Sequence, residues 1–254
     1  MYKHYSDLYS KWCELYDKEK VEITTIEKYC TLNDKRILDI GCGTGRFTFR
    51  VLEKVKSAIC VDNDSESIKV FREILHNKYS AYIQKTCECC CNIEDLSIPD
   101  NSIDIAIFTW SFYALGAEQM ILSIKNIYSM LCEEGKLIIL QPIGGEFEKV
   151  MRMFFTDHSD MDEYTLCLKR MEQFVLPLFK QVAKDLIVSE FIINDLNLFS
   201  EVLKMFAVTE GNCDAEDTKY ITSKNIKDLI EKYKINETYH FSDEVAMFIF
   251  EKRR

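Results

Sequence analysis

One segment of the chain, Ile37-Leu-Asp-Ile-Gly-Cys-Gly-Thr-Gly-Arg46, joins an apolar run that ends in an acid to three glycines spaced by one residue each. Glycine adopts positive φ readily and lets a ligand approach the backbone closely. The periodic residues that follow predict a helix, whose first N–H groups are free to bind a ligand. The segment therefore predicts a strand, a nucleotide-binding turn and a helix.

The spacing of the glycines narrows the class of ligand. A dinucleotide-binding turn reads G-x-G-x-x-G, which would require glycine at position 46, where the chain has Arg46. The sequence also lacks the G-x-x-x-x-G-K-[ST] motif of P-loop nucleoside triphosphatases. We therefore expect neither a dinucleotide nor a nucleoside triphosphate in this turn.

Short apolar segments alternate with helical patterns along the chain. The predicted strands are residues 36–40, 58–62, 81–86, 103–109 and 136–141, and the predicted helices are residues 45–54, 65–76 and 118–131, the last ending near Gly135. Short apolar strands separated by helices pair in parallel with both faces covered, so we expect an α/β fold with a doubly wound sheet. Ligands bind such sheets beyond the carboxyl ends of the strands.

The composition argues against some classes of partner. The 254 residues include only three prolines and eight glycines and no linker-like tract, so we expect one continuous body. The formal charge of -10 disfavours nucleic acid, because an acidic surface repels phosphates. No apolar run is long enough to span a membrane, and the first residues lack a signal-peptide core. We expect a cytoplasmic protein with no membrane partner.

Four of the eleven cysteines stand in Cys87-Glu-Cys-Cys-Cys91. In a chain without a secretory signal, cysteines are expected to be reduced thiols. Cys87 and Cys90 form one C-x-x-C pair, and no second pair follows at the spacing of a zinc site. The cluster is open to two interpretations, small apolar side chains around a strand end or a metal or redox site. We expect no metal.

Polar residues follow the second and third predicted strands. Asp62 stands 21 residues after Gly41, where a carboxylate can accept hydrogen bonds from two ribose hydroxyls. The alternative is a turn aspartate that caps the next helix. The polar turn that begins at Asn92 could bind an adenine edge through a side-chain amide or carboxylate and a neighbouring backbone N–H.

On the motif Asp39-Ile-Gly-Cys-Gly-Thr-Gly45, the chain resembles the class I S-adenosylmethionine-dependent methyltransferases over about positions 30 to 145, and especially the small-molecule members of that family. The resemblance implies a seven-stranded sheet whose last hairpin is antiparallel, supplied by residues 186–193 and 246–251. The chain lacks the [Asn/Asp]-Pro-Pro-aromatic signature of enzymes that methylate amide or base nitrogens, which disfavours nucleic-acid and protein-glutamine acceptors.

The resemblance also implies roles for individual residues. Asp39 would help to hold the methionine end of S-adenosylmethionine, and Asp62 would hold its ribose. Asn92 and the Ile93 amide would contact adenine, although many relatives have aspartate where this chain has Asn92. The expected cofactor residues are Asp39, Gly41, Cys42, Gly43, Gly45, Asp62, Asn63, Asn92, Ile93 and Thr109. The product would be S-adenosylhomocysteine.

Two segments outside the cofactor half are candidates for the acceptor site. The first is an N-terminal stripe that places Tyr5, Tyr9, Trp12 and Tyr16 on one face of a predicted helix, which either packs against the body or closes over the substrate. The second is an insertion at residues 145–184, interpreted as a substrate lid, a dimer interface or an extra core. The candidate substrate residues are Tyr9, Trp12, Tyr16, Tyr113, Phe154 and Phe155.

These patterns divide the chain into a helical cap at residues 1–30, a cofactor-binding core at 31–144, a lid at 145–185 and the remaining strands at 186–254. Methyl transfer is an in-line displacement that needs a general base only when the nucleophile arrives protonated. The base candidates are Tyr113, His158 and His4, each of them more typical of a packing or surface residue. We expect a monomer or homodimer that methylates a small molecule. The alternatives are a tRNA or protein acceptor, and a non-catalytic cofactor-binding module.

Overall fold

The computed structural model describes residues 4–155 and 163–253, so the base candidate His158 lies outside the described residues. The strands are β1 (Arg36–Ile40), β2 (Ser57–Asp62), β3 (Thr86–Cys90), β4 (Ile103–Thr109), β5 (Leu131–Gly145), β6 (Phe179–Ile193), β7 (Lys234–Ile235) and β8 (Thr238–Lys252). The α-helices are α1 (Ser6–Cys13), α2 (Val21–Glu27), α3 (Thr48–Val51), α4 (Ser65–Lys78), α5 (Ala117–Met130), α6 (Glu146–Arg152), α7 (Glu163–Arg170), α8 (Leu196–Thr209) and α9 (Ser223–Ile230).

The strands form one mostly parallel sheet in the order β3-β2-β1-β4-β5-β8-β6, with the short β7 paired to β8. The first five strands of this order run parallel, and β8 lies antiparallel to β5 and β6. The doubly wound fold class and the antiparallel last hairpin are therefore confirmed. The order in which successive strands are added to the sheet reverses between β1 and β4, and ligands bind at this switch point in sheets of this kind.

Both faces of the sheet are covered, which explains the uninterrupted apolar strands. In β1, Ile37 packs into the core on one face and Leu38 into the core on the other. Helix α5 covers the Leu38 face with Met120 and Ile124, whereas α4 covers the opposite face with Phe71. Within the described ranges, no helix combines the length and the apolar content needed to cross a bilayer.

The third strand lies later in the chain than residues 81–86, so that prediction is wrong. Residues Ser80–Lys85 form a 3-10 helix, with Tyr82 and Ile83 packed against the core. The cysteine run itself forms β3, because Cys90 pairs with Asp62 and brings the two strand ends level. The cysteines therefore build an edge strand instead of surrounding a strand end. In the described part of the chain, no group of three or more His, Cys, Asp or Glu side chains is placed to hold a metal ion.

The helix predicted at residues 118–131 is confirmed within one residue at each end, whereas the helix predicted at residues 45–54 is too long. In place of the helix expected at residues 45–54, the structure has the short helix α3 (Thr48–Val51), because the residues before it belong to the glycine turn. Helix α5 ends at Met130, and Gly135 lies within β5. The pairing of β5 with β4 shifts between Leu131 and Lys136, and a Cβ on Gly135 would lie 2.9 Å from the Cys132 carbonyl oxygen. Gly135 thus permits a bulge, and it does not end a helix.

The two candidate acceptor segments are shorter than the sequence patterns indicate. Helix α1 carries Tyr9 and Trp12, while Tyr5 precedes it and Tyr16 lies beyond its end in an isolated bridge to Phe191. The four aromatics therefore do not share one helix. In the insertion, α6 follows β5 directly, and β6 begins at residue 179, so residues from there onward belong to the sheet.

Candidate active site

The glycine turn leaves β1 at the carboxyl end of the sheet. Gly41, Gly43 and Gly45 have φ of 70°, 54° and 96°, the left-handed region that glycine enters readily. A Cβ on Gly41 would clash with the side chain of Ser111, whose hydroxyl donates to the Ile40 carbonyl. The turn is therefore packed closely against the loop that follows β4.

A cavity of about 580 Å³, here called the glycine-turn cavity, lies beyond the ends of β1, β2 and β4. Seven of the ten expected cofactor residues line it, namely Gly41, Gly43, Asp62, Asn63, Asn92, Ile93 and Thr109. The other three do not line it. Cys42 packs in the core, Gly45 makes room for the rings of Phe49 and Phe71, and Asp39 is fully buried.

Asp62 is held at the floor of this cavity by backbone groups. Its carboxylate accepts hydrogen bonds from the Gly43 N–H at 2.8 Å and the Asp64 N–H at 2.9 Å. Burial raises the pKa of Asp62, and those two hydrogen bonds oppose the rise. The helix-capping role considered for Asp62 belongs instead to Asp64, which accepts from the Glu66 N–H at the start of α4.

At the other side of the cavity, two amides form a bridge between neighbouring strand ends. The Asn63 Nδ2 donates to the Asn92 Oδ1 at 3.0 Å, and the Asn92 Nδ2 donates to an Asp95 oxygen at 3.0 Å. Asn92 is thus oriented by partners on both sides and is itself exposed at the edge of the cavity.

A buried polar group lies behind the glycine turn. The Asp39 Oδ2 accepts from the Thr48 hydroxyl at 2.6 Å, and burial raises the pKa of Asp39 to about 6. The Arg46 guanidinium pairs with Glu22 at 2.6 Å and stacks on the Trp110 ring at 3.9 Å. From the sequence, Arg46 was used only to exclude a dinucleotide-binding turn, and no contact was predicted for it.

Trp110, directly after β4, adopts a φ of 63°, which is strained for a non-glycine residue. The backbone N–H of Trp110 donates to the Leu140 carbonyl at 3.0 Å, so the strained backbone is held by β5. Five side chains in this region carry a buried polar atom that has no hydrogen-bond partner among the described residues: Asp39 Oδ1, Arg46 Nη2, Trp110 Nε1, Gln141 Oε1 and Asp243 Oδ2. Buried polar atoms are normally paired. Of these five side chains, Trp110 is the one that lines the glycine-turn cavity, where a ligand would meet it.

A second cavity, of about 470 Å³ and here called the aromatic cavity, adjoins the first. Its rings belong to Tyr9, Trp12, Trp110, Tyr113, Phe147, Phe155, Tyr164, Phe191 and Phe206. Tyr9, Trp110 and Tyr113 line both cavities, so the two are neighbours across these side chains.

The candidate substrate residues divide between this cavity and the core. Tyr9, Trp12, Tyr113 and Phe155 line the aromatic cavity, whereas Tyr16 and Phe154 are buried in packing contacts. The Tyr16 hydroxyl donates to Glu22 at 3.1 Å. Of the base candidates, Tyr113 lines both cavities, and His4 is exposed and lines neither.

Asp243, at the sheet end of the aromatic cavity, was not found from the sequence. Burial, together with the Glu22 carboxylate, raises its pKa to about 7, and the nearby Arg46 and Tyr16 side chains oppose the rise. Across the same cavity, Arg152 pairs with Glu148 at 2.6 Å. No local sequence signal marks Asp243, because its neighbours along the chain are ordinary strand residues. The other residues that line the cavity with it come from distant segments of the chain.

The sequence of this chain is similar to those of known methyltransferases and of a related synthase. Residues 37–135 match the family model described as a methyltransferase domain. The carboxy-S-adenosyl-L-methionine synthase of Psychromonas ingrahamii is 26% identical over 159 residues, which cover 58% of this chain and 64% of that protein. The chain therefore spans about 64% of the length of this curated relative.

Solved structures share the fold along nearly the whole chain. The [4+2]-cyclase SpnF covers 99% of this chain and 94% of its own, with a TM-score of 0.61 and 15% identity. The YcgJ protein of Bacillus subtilis covers 93% of this chain and 99% of its own, with a TM-score of 0.54 and 16% identity. At these identities, the likeness concerns the fold alone.

Proposed function

Because residues 37–135 form a class I, Rossmann-like domain of the S-adenosylmethionine-dependent methyltransferase family, we propose that this chain transfers a methyl group to a small molecule bound in the aromatic cavity. The observation that carries the proposal is the sharing of Tyr9, Trp110 and Tyr113 by the two cavities. An acceptor in the aromatic cavity lies next to a cofactor in the glycine-turn cavity.

The residues of the glycine-turn region fit the cofactor. The Asp62 carboxylate has lone pairs left for ribose hydroxyls after accepting two N–H groups. The proposed contact for the methionine end of the cofactor is Asp39, which lies behind the glycine turn and whose Oδ1 has no hydrogen-bond partner among the described residues. Asn92 and the Ile93 backbone are the proposed adenine contacts.

S-adenosylmethionine supplies an electrophilic methyl group when it is bound. The contribution of the chain is to place the acceptor beside that group and to keep water away from it, which together account for much of the acceleration in reactions of this type. Tyr9, Trp110 and Tyr113 form the shared wall where this placement occurs. The strained Trp110 backbone, held by the Leu140 carbonyl, supports a fixed wall.

The size and charge of the aromatic cavity favour a small acceptor over RNA. A volume of about 470 Å³ is typical of small-molecule sites. Its charged lining in the described ranges consists of Glu148, Glu210, Asp243 and a single cation, Arg152. An RNA-binding mouth would need an excess of basic side chains.

A second candidate function is chemistry on the cofactor itself. It is supported by the match to a protein named carboxy-S-adenosyl-L-methionine synthase. The two functions differ in the cofactor product, which is S-adenosylhomocysteine for methyl transfer and a carboxylated cofactor for the alternative. Mass spectrometry of the cofactor recovered after turnover separates them.

Calorimetry with S-adenosylhomocysteine tests the cofactor site. We expect Asp62→Asn to weaken binding about ten- to a hundredfold, because charge-assisted hydrogen bonds to the ribose are lost. Asp228→Asn removes an exposed carboxylate on α9 and serves as the matched control, with unchanged affinity. Wild-type protein that binds neither S-adenosylmethionine nor S-adenosylhomocysteine would refute the proposal. Binding without any methyl transfer across a panel of small acceptors would instead favour a non-catalytic module.

A further inference from the structure

Asp243 occupies an unusual position for a carboxylate. It pairs with Gly145 of β5 and Ser189 of β6, so it stands in the middle of three strands. A Cβ on Gly145, whose φ is 121°, would lie 2.9 Å from the Asp243 Cα, so the glycine lets β5 close tightly on β8. Asp243 is 6% exposed, and it lines the aromatic cavity.

Among the residues that the structure describes, no cation forms a salt bridge with this carboxylate, and its pKa is lowered only in part by the nearby Arg46 and Tyr16 side chains. Arg46, whose charge is felt at Asp243, is paired with Glu22, and Arg152 in the cavity is paired with Glu148. The Asp243 Oδ2 has no hydrogen-bond partner among the described residues. Burying an ionised carboxylate without a paired cation or a full set of donors is costly, so a ligand that brings a cation would be stabilised beside Asp243.

The surroundings of Asp243 specify what that ligand carries. Aromatic faces attract cations through their ring quadrupole, and they accommodate an apolar body at the same time. Tyr9, Tyr113, Phe147 and Phe155 line the cavity together with the carboxylate. An anionic ligand would meet the Asp243 carboxylate in the cavity and would be repelled, since Arg152 and Arg46 are already paired with Glu148 and Glu22.

We infer that the acceptor is an amine with an apolar or aromatic body, and that Asp243 binds its ammonium group and selects it over neutral and anionic analogues. This inference rests on the proposed function, since it names the class of molecule that the aromatic cavity presents to the cofactor. Asp243 is here a specificity-determining residue. The inference does not require that the methyl group is transferred to the nitrogen of the amine.

The test measures ligand binding to the full chain, with and without saturating S-adenosylhomocysteine. The probes are matched pairs in which an amine and a hydroxyl exchange on one skeleton: 2-phenylethylamine and 2-phenylethanol, tryptamine and tryptophol, cyclohexylmethylamine and cyclohexylmethanol. At about pH 8 the Asp243 carboxylate is ionised and the amines are largely protonated. We expect wild-type protein to bind the preferred amine at least tenfold more tightly than its alcohol, by ligand-observed NMR or calorimetry.

Asp243→Asn is expected to weaken amine binding about ten- to a hundredfold and to leave alcohol binding within about twofold. Asp228→Asn is the matched control for loss of one negative charge, and Asp243→Glu keeps the charge and should keep the amine preference. No amine preference in any pair of wild-type protein overturns the inference, as does an Asp243→Asn protein that keeps the preference. Amine preference without S-adenosylhomocysteine binding would remove the proposed function and leave the amine site standing.

Discussion

Replacing Asp243 by asparagine should make the folding stability of this protein less dependent on pH. The pKa of Asp243 rises from 3.8 to about 7 because the carboxylate is buried. Each pH unit of that difference is worth about 1.4 kcal/mol, so the ionised carboxylate destabilises the folded state by about 4 kcal/mol relative to the protonated one. Asparagine keeps the shape and cannot ionise.

The direction of the effect follows from proton binding. Between about pH 4 and pH 7 the folded state holds a proton on Asp243 that the unfolded chain has released, so this group's contribution to stability falls as pH rises. Above about pH 7 both states are ionised and the full cost is present. Relative to wild type, Asp243→Asn should therefore gain about 4 kcal/mol in free energy of unfolding between pH 4 and pH 8.

Urea unfolding at a series of pH values measures this difference directly. Asp39, whose pKa burial raises to about 6, titrates in the same range, but it is present in both proteins and cancels in the comparison. Asp228→Asn is the control, since an exposed carboxylate should give a nearly constant difference. A constant difference between Asp243→Asn and wild type from pH 4 to pH 8 would show that Asp243 is not buried as an unpaired acid.

Two further substitutions test the region around the glycine turn. Arg46→Met leaves the buried Glu22 carboxylate without its cation, so we expect a loss of about 3–5 kcal/mol in urea unfolding, partly recovered when Glu22→Gln is added; an unaffected single variant would contradict the buried pair. Gly41→Ala forces a Cβ into Ser111 at a φ of 70°, so S-adenosylhomocysteine binding should be lost in calorimetry and regained in part with Ser111→Gly. Wild-type affinity in the alanine variant would mean that the turn tolerates a side chain.

The parts of the site that were predicted from the sequence depend on local chemistry. Glycines at 41, 43 and 45 indicate positive φ wherever they occur, and a short apolar run such as residues 36–40 indicates a strand buried on both faces. Asp62 could be found because a carboxylate at a strand end, a fixed distance after the turn, is itself a short-range pattern. The fold class and the glycine-turn cavity followed from these signals.

The parts that could not be predicted depend on segments that meet only in the folded chain. The cysteine strand β3 is defined by its register with β2 and not by apolar residues of its own. Glu22, Arg46 and Asp243 come from three separate segments, and the sequence assigned none of them to the acceptor site.

The sequence by itself determined the α/β sheet and the turn that faces the cofactor, because backbone conformation at glycine and the burial of short strands are local properties. Only the tertiary structure decided which carboxylate is buried beside the aromatic cavity and which rings surround it. Burial and the resulting rise in the pKa of Asp243 arise from contacts between residues far apart in the chain, so no window of sequence contains them.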